Sequence, residues 1–299
     1  MADKHLRPSR LSVGPAHLVA ACVLLAVALR APFVRDPLDR DEAGYLLVAR
    51  HWHGDGPHLY GDFWVDRPPL LIWYYRLSDS IAGETGVRLL GCLVVTLLVL
   101  GAARAGRQLG GTAGAGWAGL VAAALGSSYA LAAETVNAEL PAAALVMVSC
   151  ASTLTAVRGR APSQYVFGLL AGVSAGCALL VKQSFFDGVV FAAVLLGVAG
   201  ARRTLTTPVV VRVAAVGVVG FTGPLVATGV WAYRSDGGLG ELWLAMYGFR
   251  MRALGVIAAE SLGSSLERLV IAAVMATVSG IVLLVWSLMA ARRELGRDP

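Results

Sequence analysis

The residues best suited to chemistry in this chain are an Asp41-Glu42 pair, Tyr45 one helical turn further on, and an Asp66-Arg67 pair directly before Pro68-Pro69. A carboxylate can take the proton of an attacking hydroxyl, and a guanidinium can stabilise a departing group that leaves with negative charge. Both kinds of group fall in one polar stretch. Residues 36–84 hold nine of the nineteen Asp and Glu and three of the five histidines. Each group also has a plainer use. Asp41 and Glu42 suit a helix N-terminus, Arg67 suits an ion pair with Asp66, and Tyr45 suits packing and hydrogen bonding.

Nearly everything outside that stretch is apolar. The chain has 299 residues, 57% hydrophobic and 15% charged, with mean hydropathy +0.69. A soluble domain carries about a quarter charged residues, so the expectation is an all-α, polytopic membrane protein. Net charge +6 does not indicate nucleic acid, because the basic residues sit in short gaps between apolar runs. That placement orients membrane helices. The cysteines at 22, 92, 150 and 177 all lie within apolar runs and read as packing residues.

Eight spans are expected, at roughly 14–34, 88–106, 111–131, 136–157, 164–182, 185–201, 208–232 and 265–290. The first reads as an uncleaved anchor, since Leu29-Arg30-Ala31 makes a poor cleavage site. Arg104/Arg107, Arg158/Arg160, Arg202/Arg203 and Arg292/Arg293 mark every second junction. With the basic N-terminus they predict cytoplasmic termini and an extracytoplasmic loop at 35–87. The domain expectation is a transmembrane module at 1–235, then an outer loop, a last span and a basic tail at 236–299. Gly168, Gly172 and Gly176 predict a close helix contact, and Gly111, Gly114 and Gly119 are read the same way.

Within the polar loop, residues 41–52 have helical spacing, and Gly54, Gly56 and Pro57 end that segment. Pro68 and Pro69 suit the start of a second surface helix, with Trp73, Tyr74 and Tyr75 at the lipid–water boundary. Glu139 is an intramembrane carboxylate. Lys182 ends an apolar helix, where its ammonium calls for a partner. Arg250 and Arg252 suit phosphate contacts or interfacial anchoring. His51, His53, Asp55 and His58 are irregularly spaced, with no His-x-x-x-His pair, so they read as loop groups and no metal or other cofactor is expected.

The run Asp41-Glu42-x-x-Tyr45, Ala49-Arg50, Tyr60 and Asp66-Arg67-Pro68-Pro69-Leu70 resembles the first outer loop of GT-C membrane glycosyltransferases. The branch it is similar to contains the protein O-mannosyltransferases and the lipid A aminoarabinose transferase. The similarity continues at Gly86-Val87-Arg88-Leu89, at Asn137-Ala138-Glu139-Leu140-Pro141, and from Gly168 to Lys182, and so covers roughly residues 12–235.

The resemblance implies an inverting cell-envelope transferase acting on the extracytoplasmic face. Its donor would be a polyprenyl-phosphate-linked sugar, and its acceptor a glycan, lipid or protein. It gives Asp41, with Glu42 beside it, the catalytic position, and Arg67 a contact to the carrier phosphate. Tyr45, Asp66, Glu139, Lys182 and Arg250 complete the expected substrate-binding set. Arg stands at 67 where the relatives usually have Lys, and Glu at 139 where Asp is frequent. Relatives of this kind run well beyond 299 residues. A second chain supplying a later half, and a catalytically silent partner subunit, therefore stay open beside a third reading, a transporter using Glu134, Glu139 and Lys182.

Overall fold

The computed structural model describes residues 14–52, 59–60, 64–235 and 237–260, with isolated helical residues between 266 and 286. Every element among them is helical. Helix α1 spans Pro15–Arg30 and runs into a 3-10 turn at Ala31–Arg35. Then follow α2 (Arg40–His51), α3 (Pro69–Leu125), α4 (Glu139–Arg158), α5 (Ser163–Val181), α6 (Asp187–Ala201) and α7 (Thr207–Arg234). The short α8 (Gly238–Trp243) leads into a π-helical turn at Leu244–Gly248, and α9 spans Phe249–Glu260.

Five helices among the described residues are long and apolar enough to cross a membrane, and α6 is a shorter apolar helix. The chain is a multi-pass membrane protein. The eighth expected span, 265–290, falls largely outside the described residues. By internal contacts the chain divides at Tyr247/Gly248. The second unit contributes α9 and the isolated helical residues.

The 57-residue α3 is three helices joined by two corners. Ala82 (φ −159°, ψ 30°) and Gly83 (φ 57°, ψ −131°) form the first corner; Gly110 (φ −134°, ψ 22°) and Gly111 (φ 63°, ψ −147°) form the second. The two share one conformation, and each needs glycine at its second residue, because an L side chain is strained at positive φ. The resulting pieces are 69–81, 84–109 and 112–125. The chain doubles back tightly at both corners. A Cβ on Gly86 would lie 2.0 Å from the Ser78 carbonyl oxygen, and one on Gly114 would lie 2.4 Å from that of Gly106. Gly111 was expected to serve helix packing. It has open space around it and makes the corner instead.

Glycines also set the α5–α7 contact. A Cβ at Gly172 would meet the Gly217 carbonyl oxygen at 2.0 Å, and one at Gly176 would meet that of Phe221 at 2.7 Å. Side-chain-free faces let the two backbones touch, which in lipid replaces the hydrophobic drive that water supplies elsewhere.

The most extensive cluster of buried apolar residues in the first unit is at the polar-loop end, with smaller clusters along the spans. Tyr45, Leu46, Trp52, Tyr60, Leu71, Ile72, Tyr75, Val87, Val136 and Val181 are buried there together, joining α2, the loop, α3, the segment before α4, and the end of α5. Tyr75 belongs to this core, not to the lipid boundary. It is fully buried, and its hydroxyl donates to the Val136 carbonyl at 2.7 Å. Trp73 is 47% exposed, as a boundary residue would be.

Candidate functional site

Helix α2 carries the Asp-Glu pair, and its placement is fixed by Glu42. That side chain is fully buried. Its Oε2 accepts from the Asp39 backbone N–H at 2.9 Å, the return half of a capping box. Its Oε1 accepts from Arg88 Nη1 at 2.7 Å and from the Val136 backbone N–H at 2.6 Å. Arg88 in turn donates to the carbonyls of Pro37 and Glu134, at 2.9 and 3.0 Å. Arg30, from the end of α1, donates to the carbonyls of Gly126 and Glu134, at 3.2 and 2.9 Å. One polar cluster thus clamps the start of α2 to α1, α3 and the segment before α4. At the other end of α2, Arg50 pairs with Asp79 at 3.0 Å.

With Glu42 committed inward, its neighbour Asp41 faces outward and is exposed. Asp41 and Tyr45 stand four residues apart on one face of α2. Tyr45 accepts a hydrogen bond from Arg67 Nε at 2.8 Å, and the guanidinium carbon lies 5.5 Å from the Tyr45 ring centroid. Arg67 Nη1 also donates to Asp66 Oδ1 at 2.6 Å. The Tyr60 hydroxyl donates to the Arg67 carbonyl at 2.8 Å and holds the backbone of that turn. Tyr45 therefore links the acid's helix to the cation's loop.

The electrostatics follow from burial and partners. Burial pulls the Arg67 guanidinium down, but the charges and hydrogen bonds of Tyr45 and Asp66 outweigh it, and its pKa lies above the ordinary value. Burial raises the Tyr45 phenol, against the opposing pull of Arg67. Burial alone raises Tyr60. At neutral pH the arrangement is a fixed cation beside a neutral phenol.

Lys182 and Glu139 pair with each other across α4 and α5, so the ammonium at the end of α5 has the partner its position calls for. The adjacent Gln183 is buried, and its amide donates to the Met246 carbonyl at 3.0 Å and to the Asp66 carbonyl at 3.4 Å. That contact sets the Lys182-Gln183 turn against the Asp66-Arg67 loop. Asp41, Tyr45, Asp66, Arg67 and the Lys182–Glu139 pair therefore gather around one core. Arg250 lies on α9 in the second unit and has interaction partners of its own. The adjoining residues 53–58 and 61–63 are outside the described set. His53, Asp55 and His58 are in those gaps. Among the described residues no cluster of three or more potential metal ligands occurs.

Three residues important to this arrangement were not predicted as site residues. Arg88 and Arg30 are charges inside or at the end of apolar runs, a costly placement that signals a committed partner. Gln183 gave no such signal, because a glutamine in a short turn is ordinary.

This helical membrane module, with its acidic helix clamped beside the Arg67-Pro68-Pro69 loop, agrees with the GT-C resemblance. Residues 66–226, more than half of the chain, match the dolichyl-phosphate-mannose-protein mannosyltransferase family, and the chain belongs to that family. The fold is similar to that of the Archaeoglobus fulgidus oligosaccharyltransferase, in a crystal structure of its complex with Zn and sulfate. The TM-score is 0.59 and the identity 14%, over 89% of this chain. The alignment takes in 40% of the archaeal chain, so this chain spans well under half of that protein's length. No curated protein matches.

Proposed function

We propose that this protein moves a sugar from a polyprenyl-phosphate carrier to an acceptor hydroxyl on the extracytoplasmic face, with inversion at the anomeric carbon. Asp41 takes the acceptor's proton as the new glycosidic bond forms. The bond from the anomeric carbon to the phosphate oxygen breaks on the opposite side, and the phosphate leaves with the electron pair. Arg67 neutralises the charge that develops there, and the Lys182 ammonium, paired with Glu139, stands on the adjoining turn. Glu42 acts through the backbone, by holding the first turn of α2 in place. The termini lie in the cytoplasm, as the arginine pairs at alternate junctions favour.

The observation that carries this reading is the hydrogen bond from Arg67 Nε to the Tyr45 hydroxyl at 2.8 Å. It ties the arginine of the Asp-Arg-Pro-Pro run to the face of α2 that presents Asp41, which supports acid and cation acting at the same end of the bundle. Transport explains the intramembrane charges less well, since Glu139 and Lys182 satisfy each other.

The test is to incubate the purified full chain with a panel of radiolabelled polyprenyl-phosphate sugars and envelope acceptors, beside Asp41→Asn. Transfer by the natural sequence and its loss in Asp41→Asn is the expected result. Equal transfer by the variant, or none with any donor, refutes the assignment.

A further inference from the structure

The helix at 69–81 and the spans behind it enclose a lateral groove of about 740 Å3. Leu70, Trp73 and Leu77 form one wall, and Leu97, Leu145 and Val181 belong to the other. The surface is almost wholly apolar. At its edge are the Ser80 hydroxyl and one charged side chain, Arg76.

Arg76 differs from three neighbouring arginines. Arg50, Arg67 and Arg88 each engage a carboxylate. Arg76 rests instead on indole faces, its guanidinium carbon 5.4 Å from the Trp52 ring centroid and 5.3 Å from that of Trp73. Among the described residues it makes no hydrogen bond or ion pair. Cation–π contact fixes the plane of a guanidinium and leaves its in-plane N–H donors unspent. A fixed, half-buried cation with unspent donors, at the rim of an apolar groove, is complementary to a lipid with a phosphate head and a long hydrocarbon tail.

Two neighbours narrow the lipid's identity. Leu70 is one turn beyond Arg67 along the chain, and Val181 directly precedes Lys182, so the groove ends against the two cations of the proposed site. We infer that this groove holds the isoprenoid chain of the carrier, with Arg76 as a second phosphate station. There the monophosphate is held before or after its passage to Arg67. The inference rests on the functional reading above and extends it to a residue outside the reactive centre.

The test uses binding, not turnover. The full chain, in phosphatidylcholine nanodiscs, is exposed to a diazirine-bearing polyprenyl monophosphate, and the cross-linked peptides are mapped. Labels are expected on the faces carrying Leu97 and Leu145. Arg76→Gln is expected to weaken labelling about tenfold, as loss of one charge-assisted phosphate contact implies, while Arg76→Lys retains most of it. Excess phosphatidylglycerol is expected not to displace the probe.

Labelling unchanged in Arg76→Gln, or displacement by phosphatidylglycerol as effective as by unlabelled carrier, overturns the inference and makes the groove a generic lipid contact. Asp41→Asn should bind like the natural sequence, which separates the two claims. Carrier bound elsewhere sinks this inference alone, groove and second station together, whereas no binding of polyprenyl phosphate at all sinks the functional reading with it.

Discussion

Removing the Glu42 carboxylate should destabilise the whole first unit. In Glu42→Ala, Arg88 keeps its charge at a position only 5% exposed and loses the oxygen it contacts at 2.7 Å. The backbone N–H groups of Val136 and Asp39 lose their acceptor as well. Stranding one member of a buried ion pair costs about 3–5 kcal/mol, or about two to four powers of ten in the folding equilibrium. That is a large part of a margin of about 5–15 kcal/mol. Glu42→Leu with Arg88→Met removes both charges and leaves an apolar pair, so it should recover the part of the loss due to the stranded charge, while the Val136 and Asp39 N–H groups stay without their acceptor. Reversible unfolding in mixed micelles, followed by tryptophan fluorescence, measures all three proteins. If Glu42→Ala unfolds with the natural sequence, or the double variant is no better than the single one, the clamp does not hold α2 as described.

Asp41→Asn should lower transfer by about 100- to 10,000-fold, the usual range for a lost general base, while its exposed position leaves the unfolding curve unchanged. Arg67→Lys keeps a positive charge but cannot reproduce the Nε bond to Tyr45 together with the bond to Asp66. Donor KM should rise in that variant, and Arg67→Gln should be worse in the same assay. Burial raises the Tyr45 pKa above 10.0, so the folded protein keeps this phenolic proton at pH values where the unfolded chain releases it. The stability due to this shift is complete below pH 10 and declines above it. A phenolate absorbance titration that loses one step above pH 10 in Tyr45→Phe checks this. Gly172→Val should separate α5 from α7, because its side chain would overlap the Gly217 carbonyl, and a lowered melting temperature would report it.

Much of this was legible in the sequence because lipid makes patterning strict. Apolar runs long enough to cross a bilayer had to be helices, and a lysine at the end of one had to find a carboxylate. Asp41, Tyr45 and Arg67 stood out by type and spacing, and Tyr45 brings them together through α2. The division of labour within Asp41-Glu42 was not legible. Adjacent helical residues point about 100° apart, and only the position of Arg88 on a distant segment decides which carboxylate turns inward. Tyr75 was misread for a related reason. Three consecutive aromatics look alike in sequence, while the helix sends Trp73 outward and Tyr75 into the core. Gly111 looked like a packing residue, because a positive φ leaves no mark on composition.

The joints at 82–83 and 110–111 have an implication for how this protein tolerates change. Each is two residues long, so nothing between neighbouring helices can take up slack, and every downstream residue inherits its rotational phase from the joint before it. One inserted residue after Gly83 would swing Arg88 by about 100° and take its guanidinium away from the buried Glu42 carboxylate. Length variation that an ordinary surface loop would absorb is therefore lethal to the geometry at these two points, however mild the added side chain.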